Sequence, residues 1–132
     1  MDDTDVKILN LLRENSRMKN TEIARHVGLT ERAVRARIEK LVREKVIRKF
    51  TVETSPVGVE GIVLIDTQTG RTQAVKDKAR EIAANVFECS GDYDVAARIR
   101  ADSLDELNKR VDELRAFPGV LRTSTLVKLV ES

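Results

Sequence analysis

Basic side chains recur along residues 31–43 at spacings that place most of them away from the apolar positions of a helix. The apolar positions recur at i, i+4, i+7 and i+8, which predicts one buried stripe, and they are Val34, Ile38, Leu41 and Val42. Guanidinium groups on the outward face of such a helix can reach guanine edges or phosphates in the DNA major groove. The candidate DNA contacts here are Thr30, Glu31, Arg32, Arg35, Arg37 and Lys40.

A short helix and a glycine-centred turn precede this segment and complete a helix-turn-helix pattern. A first helix is predicted at Asp2–Asn15, where Asp2 can cap the helix and Asp5 resembles a capping-box partner. The short helix is predicted at Asn20–Val27, with the small residue Ala24 at its centre permitting a close crossing. Gly28 stands where the chain must reverse, a position that often needs a positive φ. Thr30 can cap the following helix, predicted to run to residue 44. A solvated surface helix is the alternative interpretation of the basic segment.

Charge is divided unevenly along the 132 residues, and this division supports the nucleic-acid interpretation. Residues 1–50 carry 13 Lys and Arg against 8 Asp and Glu, a net charge of +5, whereas residues 51–132 carry 11 against 14, a net charge of −3. A basic segment joined to an acidic one is expected of a polyanion-binding module linked to another domain. The N-terminus lacks the apolar core of a secretion signal and no apolar run is long enough to span a membrane, so a cytoplasmic location is expected.

The segment that follows the basic helix changes to a strand-like pattern. Residues 46–53 are β-prone, and Arg48 and Lys49 between two apolar runs predict a tight hairpin, a small wing whose basic tip can touch phosphate. A solvated turn is the equal alternative for that tip. One proline and two glycines then mark residues 55–61 as a linker. The predicted domains are therefore 1–54 and 62–132.

The second half alternates between strand and helix patterns. The predicted elements are a strand at 62–66, a helix at 73–85, strands at 86–90 and 93–101, a helix at 103–117 and a strand at 120–130. This βαββαβ order predicts a ferredoxin-like α+β domain with two helices on one face of an antiparallel sheet. The other face would expose several hundred Å² of apolar surface, which soluble monomers seldom do, so a homodimer formed sheet against sheet is expected.

The whole arrangement resembles the Lrp/AsnC family of transcription regulators, also called feast/famine proteins. The segments that carry the resemblance are Asp2-Asp3-Thr4-Asp5 with Ile8-Leu9, Glu22-Ile23-Ala24, Val27-Gly28-Leu29-Thr30, Val34 with Arg37-Ile38 and Leu41, and Gly91-Asp92-Tyr93-Asp94. The last of these is similar to a turn in the family's ligand-sensing domain. Two positions depart from the family. Lys45 stands where glycine is usual, which costs about 1 kcal/mol if the backbone there is left-handed. The start of the short helix lacks the serine that is usual in the family, and Lys19 and Asn20 stand near that point.

The resemblance implies a regulator of amino-acid metabolism that forms a homodimer and assembles further into tetramers or an octamer of four dimers. It also implies an amino-acid effector held near the Gly91–Asp94 turn and the last strand. Carboxylates there suit an ammonium group, and hydroxyl and N–H groups suit a carboxylate or amide. The candidate effector residues are Gly91, Asp92, Tyr93, Asp94, Thr123, Ser124 and Thr125. The alternative is a simple tight turn in which Asp94 bonds local backbone.

Two other functions compete with an effector-modulated regulator. A multimeric DNA-binding protein without any small-molecule effector has almost the same sequence signature. A sirohaem-decarboxylase-like enzyme would share the two-domain architecture, but it would need histidine as an acid or base. The chain has one histidine, His26, within the short helix, and no metal-ligand spacing. We therefore expect no enzyme activity, no catalytic residue, no metal and no cofactor.

Overall fold

The computed structural model describes residues 1–129, which fall into two compact units, Met1–Glu53 and the residues from Thr54 onward. The N-terminal unit contains three helices, α1 (Asp3–Glu14), α2 (Asn20–Val27) and α3 (Glu31–Arg43). The three helices predicted from sequence are confirmed. Their ends agree with the prediction to within one residue.

Local hydrogen bonds fix these helix ends. Asp2 and Asp5 form a reciprocal capping box at the start of α1, as the sequence predicts. Thr30 accepts a 3.1 Å hydrogen bond from the N–H of Ala33 at the start of α3. Gly28 ends α2 with a φ of 71°, a left-handed conformation that glycine adopts without a Cβ penalty. Each cap satisfies backbone groups that a helix end leaves unpaired.

A small apolar cluster holds the three helices together. Ile8, Ile23, Ala24 and Val34 are its buried members, and the side chains of neighbouring leucines pack around them. Val42, which the sequence pattern assigned to the buried stripe, is 44% exposed. The apolar seam of α3 is therefore narrower than predicted, and more of its surface faces outward.

The predicted wing is wrong, because residues 46–53 form no strand. The N–H groups of Val46 and Ile47 both bond to the carbonyl of Leu41 and continue the end of α3. Tight two-residue hairpins favour turns that need positive φ values, and neither Arg48 nor Lys49 adopts one. Lys45 has a φ of 60° and is the left-handed residue that ends α3.

The second unit has the predicted βαββαβ order. Its elements are β1 (Val59–Thr67), α4 (Thr72–Ile82), β2 (Asn85–Glu88), β3 (Val95–Ala101), α5 (Leu104–Ala116) and β4 (Val120–Val127). The strands form one antiparallel sheet in the order β2-β3-β1-β4. The first strand begins three residues earlier than predicted, the third begins two residues later, and Val130 of the predicted last strand lies outside the described residues.

Two helices cover one face of this sheet. Val63 and Ile65 of β1 point to that face and are fully buried. Val75 of α4 and Leu107 of α5 pack onto the same core. Successive strand residues alternate between faces, so Ile62 and Leu64 of β1 lie on the uncovered face. The register of the strands therefore decides which side chains each face presents.

Candidate functional site

The outward face of α3 carries exposed cations. Arg32 and Lys40 are exposed, and the side chain of Arg35 is 59% exposed. Buried Val34 and Leu41 hold the opposite face of the same helix against its unit. The amphipathic pattern thus places these three cations where a polyanion can reach them.

A carboxylate one turn earlier on α3 holds Arg35. Its Nη2 group donates to Oε1 of Glu31 at 2.5 Å, an i,i+4 ion pair. Glu31 also lies in the first turn of the helix, where a negative charge is favourable. An exposed pair of this kind adds little stability, so its main consequence is the direction in which the guanidinium points.

Arg37 lies elsewhere, although the sequence pattern placed it with the DNA contacts. Its Nη1 group donates to both carboxylate oxygens of Asp2 at 2.8 Å and to Oδ1 of Asp5 at 3.1 Å. This hydrogen bonding lowers the pKa of Asp2 to about 2 and raises the pKa of Arg37. Arg37 therefore braces α3 against the start of α1, and its charge is balanced by two carboxylates.

Arg48 and Lys49 are exposed in the segment after α3. They form no hairpin tip, because that segment has no strand. Within residues 1–129, Ser16 donates a 2.9 Å hydrogen bond to the carbonyl of Thr51 and so ties the segment to its own unit. Both cations remain available to phosphate, without the rigid turn that the sequence pattern suggested.

The turn at Gly91–Asp94 is braced by a strand far away in sequence. Oδ2 of Asp94 accepts hydrogen bonds from the N–H of Thr67 at 2.8 Å and from its hydroxyl at 3.1 Å. These bonds, the backbone N–H first, lower the pKa of Asp94. Thr67 is buried, and its hydroxyl also contacts that of Thr72 at 2.8 Å. The carboxylate therefore fixes the turn to the end of β1 and does not serve only local backbone.

Arg122 of β4 joins the same turn, and sequence reasoning did not select it. Its guanidinium carbon lies 4.8 Å from the centroid of the Tyr93 ring, a cation–π distance. Its Nε group donates to Asp66 at 3.2 Å, and Nη2 donates to the carbonyl of Asp92 at 3.4 Å. The hydrogen bond that Arg122 donates to Asp66 is the first cause that raises the pKa of Arg122. The signal available in the sequence was an arginine near the start of the predicted last strand.

The three candidate hydroxyls of β4 divide between the two faces of the sheet. Thr123 pairs with buried Ile65 and Thr125 with buried Val63, so both face the helices. Ser124 lies between them and faces the opposite way. Thr123 accepts a 2.9 Å hydrogen bond from Nε of Arg115. Oγ1 of Thr125 is buried and has no hydrogen-bond partner among the described residues.

The uncovered face of the sheet is apolar at its centre. Side chains directly opposite one another in neighbouring strands share a face, which groups Phe87, Ala96, Leu64, Ile62 and Leu126 on it. Ile62 is 43% exposed, and Phe87 and Leu126 are each 56% exposed. Soluble chains rarely leave such a patch without a partner.

Charged side chains border this apolar centre at one end. Glu60 forms ion pairs with Arg98, Arg100 and Lys128. The hydrogen bond from Arg98 is the first cause that lowers the pKa of Glu60. The uncovered face therefore has an apolar middle and a charged border.

No helix within residues 1–129 is long and apolar enough to cross a membrane. His26, the one histidine of the sequence, is exposed on α2. In the part of the chain that the structure describes, no group of three or more His, Cys, Asp and Glu side chains could hold a metal ion.

Two family models match this chain and cover its two units. The AsnC-type helix-turn-helix domain matches residues 1–42, and the Lrp/AsnC ligand binding domain matches residues 60–131. The first match covers α1, α2 and α3 up to Val42, and so includes Arg32, Arg35 and Lys40. The second covers the four-stranded sheet except Val59, the first residue of β1, and includes the Gly91–Asp94 turn.

Similar proteins agree with these matches. The chain is 35% identical to the HTH-type transcriptional regulator LysM of Sulfurisphaera tokodaii over 98% of this chain and 95% of that protein. Among solved structures, AsnC of E. coli has a TM-score of 0.74 at 20% identity and covers 99% of this chain and 93% of its own. The L-Met complex of the regulator NMB0573 from Neisseria meningitidis has a TM-score of 0.76 at 22% identity, covering 99% and 91%. The chain therefore belongs to the Lrp/AsnC family of DNA-binding transcription regulators.

Proposed function

We propose that this protein regulates genes of amino-acid metabolism, binding DNA through α3 as a homodimer and responding to an amino-acid effector in its second unit. The observation that carries the proposal is the exposed cationic face of α3, in the same chain as a domain that matches a ligand-binding family. We place the protein in the cytoplasm, free of membranes and without catalytic activity.

The proposed DNA contacts come from α3, its cap and the segment after it. They are Thr30, Glu31, Arg32, Arg35, Lys40, Arg48 and Lys49. Arg37 is left out, because its guanidinium is held by the carboxylates of Asp2 and Asp5. Arginine side chains supply base-edge and phosphate contacts, whereas lysines supply phosphate contacts.

The proposed effector site lies at the Gly91–Asp94 turn and β4. Asp94 and Thr123 already have hydrogen-bond partners, so they position the site. Asp92 is exposed, and Oγ1 of Thr125 is buried without a hydrogen-bond partner among the described residues. These two groups have the capacity to receive polar atoms of an amino acid. Gly91 has a φ of 121° and open space beside it. The Neisseria relative, crystallised with L-Met, supports an amino acid as the ligand class.

The proposed dimer covers the apolar face of the sheet with a second copy of the same face. A dimer presents two α3 helices, which suits DNA with two half-sites about one helical turn, or a multiple of it, apart. Light scattering after gel filtration should give the mass of two chains or more. Leu126→Asp, which places a charge on this face, should shift the mass towards one chain. Leu129→Asp, beyond the end of β4 and 90% exposed, is the matched control.

DNA binding is tested by retardation of promoter DNA, including the protein's own promoter, at low salt. Retarded complexes that weaken as salt rises are expected, because phosphate contacts release counterions. The absence of any complex at low salt would contradict the proposal.

Effector binding is tested by thermal shift against the common amino acids. A ligand present at 100 times its dissociation constant stabilises the chain by about 2.7 kcal/mol. Asp92→Asn and Thr125→Val should reduce the shift, and Asp102→Asn, the same change in an exposed loop, should not. If no amino acid shifts the wild-type chain, the effector is absent and the second unit serves only multimerisation.

A further inference from the structure

The outward face of α3 offers Arg35 two possible carboxylate partners, and the structure uses one. Glu31 precedes Arg35 by four residues and Glu39 follows it by four. Arg35 pairs with Glu31 at 2.5 Å, whereas Glu39 forms no ion pair within residues 1–129. The i,i+4 order with glutamate first is the more favourable one on a helix. The guanidinium of Arg35 is therefore drawn towards the N-terminal end of α3.

This pairing uses only part of the hydrogen-bonding capacity of Arg35. An arginine side chain has five N–H donors in a fixed planar fork. One donor of Nη2 serves Glu31, which leaves the other donors for O6 and N7 of a guanine, a bidentate contact. A long side chain held in one direction also loses less conformational entropy when it binds. Glu31 thus prepares Arg35 for a base edge.

Glu31 also acts on sequence-independent binding. Its carboxylate carries a negative charge beside the cations of α3, where the phosphates of any DNA sequence would approach. Like charges repel, so this carboxylate weakens contacts that depend on phosphate alone. A base contact made by Arg35 offsets that repulsion only where the correct base is present.

We propose that Glu31 is a positioning residue that determines DNA specificity by directing Arg35 to a guanine. This inference rests on the proposed function, because it requires α3 to be the DNA-reading helix. Loss of Glu31 should therefore weaken the preference for the correct DNA site. Loss of an ordinary repulsive charge would instead tighten binding to every sequence equally.

The test compares Glu31→Gln with Glu39→Gln in the full chain. Both variants remove one negative charge from the same helix, and only Glu31 holds Arg35. A preferred site is first selected from random duplex DNA with the wild-type protein. Dissociation constants are then measured for that site and for a scrambled duplex of equal length. Circular dichroism and thermal unfolding confirm that each variant keeps its helices.

Glu31→Gln should lower the ratio of preferred-site to scrambled affinity by at least about fivefold, the lower end of what one bidentate base contact supplies. Glu39→Gln should tighten binding to both duplexes equally and leave the ratio unchanged. Arg35→Ala should relax selection at one guanine position, and adding Glu31→Gln to it should change the ratio no further.

Two results overturn the inference, and they are distinguishable. If Glu31→Gln and Glu39→Gln shift both duplexes by the same factor, Glu31 is an ordinary repulsive charge and the inference fails while the proposed function stands. If the wild-type chain binds no duplex at low salt, the proposed function and the inference fail together.

Discussion

The two units of this chain are stabilised in different ways. The N-terminal unit has four residues in its buried cluster, and its helices end at local caps. The second unit has eleven residues in its buried cluster, and its strands pair across long stretches of sequence, as Val59 does with Ala101. The stability of the first unit therefore depends on its helix ends, and that of the second unit depends on the register of its sheet. A small helical unit with few buried residues leaves most of its surface for contact with a partner.

Truncation of a buried side chain in the second unit should have the largest effect on stability. Ile65 is fully buried in the centre of the sheet, and Ile65→Ala should destabilise the unit by about 2–5 kcal/mol. Hydrogen exchange of the full chain should show lost protection in β1, β3 and α4. Equal loss of protection in α1–α3 would contradict the view that the two units are stabilised separately.

Relief of backbone strain at the end of α3 should stabilise the first unit. Lys45 has a φ of 60°, and Lys45→Gly should stabilise this unit by about 1 kcal/mol, since glycine has no Cβ to clash there. Gly28→Lys places the same residue type in the left-handed position that ends α2 and should destabilise by a similar amount. Denaturant unfolding measures both variants. No difference between them would show that the helix ends do not limit this unit.

A missing cap at the start of α2 gives a second way to strengthen the first unit. Lys19 occupies the N-cap position and makes no side-chain cap hydrogen bond. Lys19→Ser should stabilise the unit by about 0.5–1 kcal/mol, because the serine hydroxyl can accept a bond from an unpaired N–H. Lys7→Ser, in the interior of α1, is the control and should not stabilise. The measurement is the thermal midpoint of each variant.

Acid should reveal the smallest difference between the units, through one carboxylate in each. The folded pKa of Asp2 is about 2 and that of Asp94 is lowered, both from 3.8. Each carboxylate therefore contributes stability that is present above pH 3.8, the unperturbed pKa, and is lost as the pH falls through the folded pKa. Carboxyl chemical shifts followed by NMR should show both groups titrating below 3.8. Arg37→Gln should return Asp2 towards 3.8 and leave Asp94 unchanged.

Much of the fold could be predicted because helix ends are determined by residues a few positions apart. Asp2 with Asp5, Thr30 with Ala33, and Ser103 with Glu106 make their cap bonds across three residues. The element order of the second unit was predicted from similar local signals, namely capping residues and turn residues between the strand and helix patterns. Local signals of this kind do not decide whether residues 46–53 form a wing. The β-prone residues near Arg48 form a hairpin only if the turn geometry allows it.

Local sequence patterns were sufficient to predict the three helices of the first unit, the βαββαβ order of the second, and the basic face of α3. Only the tertiary structure decided that Arg37 meets Asp2, 35 residues away, and that Asp94 meets Thr67, 27 residues away. It also decided that Thr125, and not Ser124, lies on the face that the helices cover. Local rules cover partners within one helical turn, whereas the partner of a charged or polar side chain further away depends on how whole elements pack.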